Sequence, residues 1–224
     1  MVKNNMKVGQ FHMEKLAIFD IDYTLTKKET SIELYKYMLK KDRKLLRYLP
    51  SHIITGIFYG LKVYNAGRTK ENFLRFLAGT SEEDLKKLVK SFYKEKIESI
   101  LYEDAIKAIK DFKEKGYKIY LISASPEFYV NEFYSIKEVD KVIGTKFHID
   151  EGKFNPKILG ENCKGEAKVK RLMEELKKDN IEVDFKNSYM FSDSLSDLPL
   201  LKLVGKGYLI NYKKNHELEI LRWR

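Results

Sequence analysis

Two pairs of carboxylates are the residues of this sequence best suited to chemistry. Asp20 and Asp22 directly follow the apolar segment 16–19, and Asp193 and Asp197 follow a second apolar segment. Carboxylates held close together repel one another unless a cation or a proton compensates them. Each pair could therefore bind a hard divalent cation such as Mg²⁺, or supply a nucleophile and a general acid or base.

Hydroxyl residues and lysines lie between the two acidic pairs. Ser123 and Ser125 follow another apolar segment and precede a predicted helix, whose N-terminus would favour an anion. Ser125 could instead only cap a helix that starts near Pro126. Lys168 lies on a later predicted helix, four residues after Lys164. Acid, hydroxyl, lysine and acid thus occur in this order, and such a set can bind an anionic group and react with it.

These residues need a sheet to bring them together, and the hydrophobic pattern predicts one. Apolar segments alternate with helical segments, which indicates parallel strands with helices on both faces. The strands are predicted at 15–20, 117–122, 188–191 and 208–210, the last of which should end the sheet, with a hairpin at 145–159. The accompanying helices are predicted at 104–115, 128–134, 165–178 and 195–203. Ligands of such sheets bind beyond the carboxyl ends of the strands, where the polar residues fall.

Residues 30–100 interrupt the alternation with a helical block. Apolar residues recur three and four positions apart in 32–39 and again in 85–92. Ser81, followed by three acidic residues, is typical of a helix start. We therefore expect two domains, an α/β core of residues 1–29 and 101–224 and an inserted all-helical cap of residues 30–100.

The segment Phe19-Asp-Ile-Asp-Tyr-Thr-Leu25 resembles the first motif of the haloacid dehalogenase superfamily of hydrolases. Ser123 resembles the second motif, Lys168 the third, and Asp193 with Asp197 the fourth, in the order found in that family. The segments 163–172 and 193–201 are similar to the phosphoserine phosphatase-like branch, subfamily IB, which carries a helical cap. The resemblance implies a Rossmann-like parallel sheet with helices on both faces.

The same resemblance implies roles for individual residues. Asp20 would attack phosphorus and form an aspartyl-phosphate, and Asp22 would protonate the leaving group and then activate water. With Asp20 and Asp22, the catalytic residues would include Ser123 and Lys168. The residues implied to bind the phosphate or the rest of the substrate are Thr24, Glu29, Ser123, Ala124 and Lys168. The residues implied to hold Mg²⁺ are Asp20, Asp22, Asp193 and Asp197. Lys164 is the alternative to Lys168 as the phosphate-binding lysine, although the spacing favours Lys168.

The expected activity is Mg²⁺-dependent hydrolysis of a small phosphorylated metabolite. A phosphoserine-like substrate is one option, but residues 123–125, Ser-Ala-Ser, depart from the Ser-Gly-Gly of phosphoserine phosphatases. A rival hypothesis is a non-hydrolytic, Mg²⁺-dependent phosphoacceptor or binding protein. The presence of Asp22 speaks against that rival, because a phosphoacceptor needs no group that activates water.

The segment 40–61 suggests another alternative, a phospholipid phosphatase. Residues 40–47 are basic, and residues 49–61 are apolar and aromatic, with Ile53, Ile54, Ile57, Phe58 and Leu61 on one helical face. Such a segment suits peripheral contact with an anionic membrane, and it resembles bacterial phosphatidylglycerophosphatases. The same helix could instead pack its apolar face against the rest of the cap, and we favour this second interpretation.

Composition limits the remaining classes of function. Of the 224 residues, 43% are hydrophobic, so the chain can form a packed core. A single cysteine, Cys163, excludes an intramolecular disulfide, and residues 1–15 lack the apolar segment of a secretory signal, so we expect a cytoplasmic protein. The lysines behind the net charge of +10 are scattered, and the sequence carries no nucleic-acid motif and no zinc-ligand spacing, so no nucleic acid is expected as a partner. The sequence leaves the oligomeric state open.

Overall fold

The computed structural model describes residues 13–224. Two predictions concern residues 1–12, namely that the core domain begins there and that residues 1–15 lack the apolar segment of a secretory signal. Residues 1–12 lie outside the described residues. The strands are β1 (Leu16–Phe19), β2 (Lys118–Pro126), β3 (Val139–Thr145), β4 (Phe147–Asp150), β5 (Lys153–Ile158), β6 (Tyr189–Ser192), β7 (Lys206–Ile210) and β8 (Glu219–Leu221).

Six of these strands form one sheet in the order β3-β2-β1-β6-β7-β8, and every neighbouring pair is parallel. The strands β4 and β5 form a separate antiparallel hairpin. The predicted parallel sheet and hairpin are confirmed. The α-helices are α1 (Thr30–Lys41), α2 (Leu49–Gly60), α3 (Ala66–Phe73), α4 (Glu82–Phe92), α5 (Glu103–Glu114), α6 (Glu127–Val130), α7 (Glu166–Lys178) and α8 (Leu198–Leu203).

The alternation of side chains in β1 explains why helices cover both faces of the sheet. Leu16 and Ile18 pack into a cluster with Leu172 of α7, and Ala17 and Phe19 pack into a larger cluster on the other face. All four β1 residues are fully buried. A strand that is buried on both faces consists of consecutive apolar residues, as β1 does. The acidic residue Asp20 follows directly after its last residue.

Residues 30–100 are helical, as predicted. Besides α1 to α4, this segment contains 3₁₀ turns at Arg43–Tyr48, Leu74–Leu77 and Glu98–Ile100 and a π-helical turn at Tyr93–Ile97. The Ser81 hydroxyl accepts a hydrogen bond from the Asp84 amide at 3.1 Å, so the predicted start of α4 is confirmed. The division into a core and a cap at residues 29/30 and 100/101 stays a prediction.

Three elements differ from the prediction. The strand β3 was not predicted, because Asp140, Lys141 and Gly144 interrupt its apolar pattern. The strand β8 lies beyond the predicted last strand, at the sheet edge where apolar residues are not required. The predicted helix 128–134 is only the single turn α6, followed by a 3₁₀ turn at Asn131–Ser135.

Within residues 13–224, no helix has both the length and the apolar composition needed to cross a membrane.

Candidate active site

The turn after β1 begins the candidate site. Between Asp22 and Thr24, Tyr23 adopts a left-handed backbone with a φ of 55°, which is uncommon for a residue with a side chain. The Ile21 carbonyl accepts hydrogen bonds from the amides of residues 24, 25 and 26 at 2.8–3.2 Å, which fixes this turn. A strained, tightly bonded turn holds its carboxylates in one place, as functional sites often require.

Lys168 connects two of the predicted acidic residues. Its ammonium nitrogen lies 2.7 Å from Asp20 Oδ1 and 2.6 Å from Asp197 Oδ2, and the lysine is almost completely buried. Burial by itself would lower the pKa of Lys168, but the two carboxylates raise it above its ordinary value, so the lysine stays charged. Lys164 is exposed. The structure therefore brings Lys168, and not Lys164, to the acidic residues.

The second acidic pair lies beside the first because β6 is the neighbour of β1. The Ser192 hydroxyl donates to Asp197 Oδ2 at 2.8 Å, and the Asp193 amide donates to the Thr24 hydroxyl at 2.9 Å. Thr24 is fully buried, and this hydrogen bond joins the turn after β1 to the turn after β6. The other carboxylate oxygen of Asp197 is buried and has no hydrogen-bond partner among residues 13–224.

Two carboxyl groups of this cluster, those of Asp20 and Asp193, are costly to ionise where they lie. Burial, with the nearby Asp197 and Asp22 charges, raises the pKa of Asp20 to about 8 despite the opposing effect of Lys168. Burial, and then the Asp197 charge, raises the pKa of Asp193 to about 6. A bound divalent cation would favour the ionised form of both groups.

Hard oxygen donors and the unpartnered oxygen of Asp197 fit magnesium chemically. Within residues 13–224, however, no three carboxylate, histidine or cysteine side chains already converge as a ligand group.

The Asp22 carboxylate is held by hydroxyl and amide donors. Its Oδ1 accepts bonds from the Thr30 amide at 2.7 Å and the Thr30 hydroxyl at 2.6 Å, and its Oδ2 accepts from the Ser125 hydroxyl at 2.5 Å. Each oxygen of the Asp22 carboxylate therefore accepts at least one hydrogen bond. The interpretation of Ser125 as only a helix cap is wrong, because α6 has no side-chain cap and Ser125 bonds Asp22 instead.

Ser123 and Ala124 end the apolar part of β2, as predicted. Ser123 is buried, and its hydroxyl accepts a bond from the Ser125 amide at 3.0 Å. The Ala124 carbonyl accepts bonds from the Thr145 hydroxyl at 2.6 Å and from the ammonium group of Lys70. The helix that follows is only one turn long, so its N-terminus attracts an anion less strongly than the sequence predicted.

Lys70 and Glu29 bring the helical segment to the same region. Lys70, on α3, also donates to the side chain of Asn162, and burial lowers the pKa of Lys70 to about 8 although Asp22 and Glu29 oppose that shift. Glu29 accepts a bond from the Ile32 amide at 2.9 Å and so caps α1. Burial, and then the Asp22 charge, raises the pKa of Glu29. Sequence reasoning missed Lys70, because one lysine among forty-three basic residues carries no local signal.

Comparison with known sequences gives one family and several relatives. The sequence matches the family model described as haloacid dehalogenase-like hydrolase over residues 17–202. Protein CicA of Caulobacter vibrioides is 28% identical over 204 residues, which cover 89% of this chain and 87% of CicA. The histidinol-phosphatase of Neisseria meningitidis is 27% identical over 206 residues, which cover 89% of this chain and 91% of that protein.

Solved structures share the fold. A protein of unknown function from Bordetella pertussis Tohama I has a TM-score of 0.82 at 21% identity, over 94% of this chain and 99% of that one. A phosphoserine phosphatase, solved as a phospho-aspartyl intermediate analogue, has a TM-score of 0.60 at 21% identity, over 90% and 88% of the two chains. At these identities the likeness concerns the fold, and it agrees with the parallel sheet and helical segment described above.

Proposed function

Because this chain belongs to the haloacid dehalogenase-like hydrolases, we propose that it is a Mg²⁺-dependent phosphomonoesterase that forms an aspartyl-phosphate on Asp20. The family and the hydrolase class that the sequence predicted are confirmed, and the phosphatase activity, the metal and the intermediate are our proposal. The observation that carries it is the buried Lys168, which binds Asp20 and Asp197 together beyond the ends of β1 and β6.

In the proposed reaction an oxygen of Asp20 attacks phosphorus, and the bond between phosphorus and the leaving oxygen breaks. Lys168, already 2.7 Å from Asp20, would stabilise the charge on the transferring phosphoryl oxygens, together with the hydroxyl of Ser123. Asp22 would protonate the leaving oxygen and later deprotonate the water that hydrolyses the intermediate. The hydrogen bonds from Thr30 and Ser125 would hold the Asp22 carboxyl in place for both proton transfers.

The proposed metal ligands are Asp20, Asp193, the backbone carbonyl of Asp22, and Asp197. Bound there, Mg²⁺ would reduce the repulsion between the carboxylate nucleophile and the phosphate. The raised pKa values of Asp20 and Asp193 support this assignment, since each group is costly to ionise without an added cation.

A small phosphorylated metabolite is the proposed substrate, and a relative named histidinol-phosphatase supports this class.

A second candidate, a lipid phosphate, is favoured by one observation. The isoleucines of α2 are exposed, so the expectation that this helix packs its apolar face against the rest of the cap is wrong. The sequence has one cysteine, Cys163, which is buried, so no intramolecular disulfide can form. On this ground a cytoplasmic location is part of the same proposal.

Release of phosphate from para-nitrophenyl phosphate tests the activity. We expect turnover with Mg²⁺, loss of turnover with a chelator, and loss of turnover in Asp20→Asn. Asp150→Asn, the same change at an exposed aspartate of the β4–β5 hairpin, is the matched control and should keep wild-type turnover. Equal turnover of wild type and Asp20→Asn, or turnover that a chelator does not reduce, would contradict the proposal.

A further inference from the structure

The helix α2 exposes its apolar residues to solvent instead of burying them against the rest of the protein. Ile53, Ile54 and Ile57 are each more than half exposed, and Leu61, directly after the helix, is 67% exposed. Thr55 is the single residue of α2 that is buried. A helix at the surface of a globular protein normally buries its apolar stripe and exposes polar residues.

The inward side of α2 is polar or aromatic. The His52 ring lies 4.5 Å, between centroids, from the rings of Tyr35 and Phe73. None of the twelve residues of α2 is Asp, Glu, Lys or Arg, and its histidine, His52, lies on the inward side. Leu49 and Tyr59, in the first and last turns of the helix, are exposed as well, and so are Leu46 before it and Val63 after it. An exposed apolar patch of this extent marks an interaction surface.

A cationic cavity of about 1060 Å³ lies along the same helix. Ile54 and Thr55 of α2 form part of its wall. The basic residues that line it are Arg47, Arg68, Arg75, Lys157 and Lys164. Among the described residues that line it, only Glu71 is acidic, and Glu71 is paired with Lys157 at 3.1 Å.

Arg47, Arg68, Arg75 and Lys164 form no ion pair with a carboxylate among residues 13–224. The basic segment 40–47 ends two residues before α2 begins, and its lysines and arginines are exposed.

We propose that α2 and the cationic cavity beside it dock this protein onto an anionic lipid bilayer. The isoleucines would enter the boundary between headgroups and acyl chains, and the cavity cations would contact the phosphate groups of the lipids. An uncharged apolar helix face flanked by lysine and arginine is the arrangement with which helices lie in a membrane interface. The inference does not depend on the hydrolytic activity proposed above, because docking requires no turnover.

The charges favour a membrane over a second copy of this chain. Two copies that met through α2 would bring two cationic cavities together in a protein whose net charge is already +10. Like charges placed opposite one another oppose such an association. An anionic bilayer instead matches both the apolar and the cationic parts of this surface.

Vesicle flotation of the full chain tests the proposal. One set of vesicles is phosphatidylcholine alone, and in the other about a third of the lipid is phosphatidylglycerol, which supplies the negative surface charge. We expect binding to the second set, weaker binding to the first, and weakening by added salt. Ile57→Asp should weaken binding at least tenfold, equivalent to about 1.4 kcal/mol. The uncharged Ile57→Ser should weaken it less.

Ile149→Asp is the matched control, because it makes the same change at an isoleucine that is 41% exposed on the β4–β5 hairpin. It should bind vesicles like the wild type. No binding to anionic vesicles, or equal weakening by Ile57→Asp and Ile149→Asp, would overturn the proposal. Sedimentation velocity adds a third outcome. A dimer that Ile57→Asp disperses would assign the surface to a second copy and also overturn the proposal.

The same preparations, assayed with para-nitrophenyl phosphate, separate the two proposals. Vesicle binding without phosphate release would contradict the proposed function and leave the docking surface supported. Phosphate release without vesicle binding would contradict the docking surface alone.

Discussion

Replacing Lys168 by methionine tests the ion cluster on which the proposed site depends. Methionine keeps an unbranched side chain of similar length and removes the charge. Asp20 and Asp197, now 2.7 and 2.6 Å from the ammonium nitrogen, would lose their buried cation. Removing one partner of a buried ion pair costs about 3–5 kcal/mol, because the remaining charge is left uncompensated in a medium that solvates it poorly.

The loss should be visible as a lower melting temperature and a lower rate. For a chain of this size, 1 kcal/mol corresponds to about 2–4 °C, so Lys168→Met should lower the melting temperature by about 10 °C in the presence of a chelator. Protonation of Asp20, whose pKa is already raised, would offset part of the cost. Since Lys168 would also stabilise the transferring oxygens, phosphate release should fall about 10²–10³-fold.

Lys164→Met is the matched control, because it makes the same change four residues earlier at an exposed lysine. It should shift the free energy of unfolding by less than about 0.5 kcal/mol, as surface substitutions generally do. Thermal unfolding monitored by circular dichroism, together with para-nitrophenyl phosphate turnover, measures both effects. Equal effects of the two substitutions, or wild-type turnover by Lys168→Met, would refute the assignment of Lys168 to the site.

Two further predictions concern packing and pH. A Cβ added at Gly144 would lie 2.7 Å from Glu127 Cα, so Gly144→Ala should lower the free energy of unfolding in urea by about 1–3 kcal/mol. A Cβ added at Gly56 would have no atom within 4 Å, so Gly56→Ala should stabilise α2 by about 0.5–1 kcal/mol. The reverse order of stabilities would contradict both assignments. Burial lowers the pKa of His52 below its ordinary value of 6.5, so the unfolded chain binds a proton more readily and stability should fall as the pH drops below about 6.5. The urea midpoint of His52→Phe minus that of wild type should therefore be larger at pH 5 than at pH 8. An equal difference at the two pH values would show that His52 does not cause the loss of stability at low pH.

The sequence predicted the residues that follow strands better than those that reach the site from elsewhere. Asp20 and Asp193 could be predicted because a buried strand must end where the acidic residues begin, and parallel strands present those ends at one edge. Lys168 could be predicted from the order of the motifs. The structure adds the contacts that join them, such as the bond from the Asp193 amide to Thr24.

The strand β3 shows why a local pattern is insufficient. Asp140 interrupts the apolar run, yet in the folded chain its carboxylate accepts bonds from the Ile119 amide at 2.8 Å and from Lys113 at 2.7 Å. Those partners are more than twenty residues away in sequence, so no window around Asp140 reveals them. Lys70 reaches Ala124 across 54 residues and was missed for the same reason.

The exposure of α2 shows a different limit. Its periodic isoleucines predict a helix with one apolar face, but the period does not state whether that face is covered. Only the packed arrangement of α1, α2 and α3 decides this, and it turns His52 and Thr55 inward.

The central claim is that Asp20 carries the phosphoryl group during turnover. Acid quenching during hydrolysis of para-nitrophenyl phosphate, followed by peptide mass spectrometry, tests it most directly. We predict that the peptide containing Asp20 gains the mass of one phosphoryl group in wild type, and gains more of it in Asp22→Asn, where water would no longer be activated. A phosphoryl group that persists for minutes in wild type would favour the phosphoacceptor hypothesis. Turnover in which that peptide never gains the mass in either protein would contradict the account.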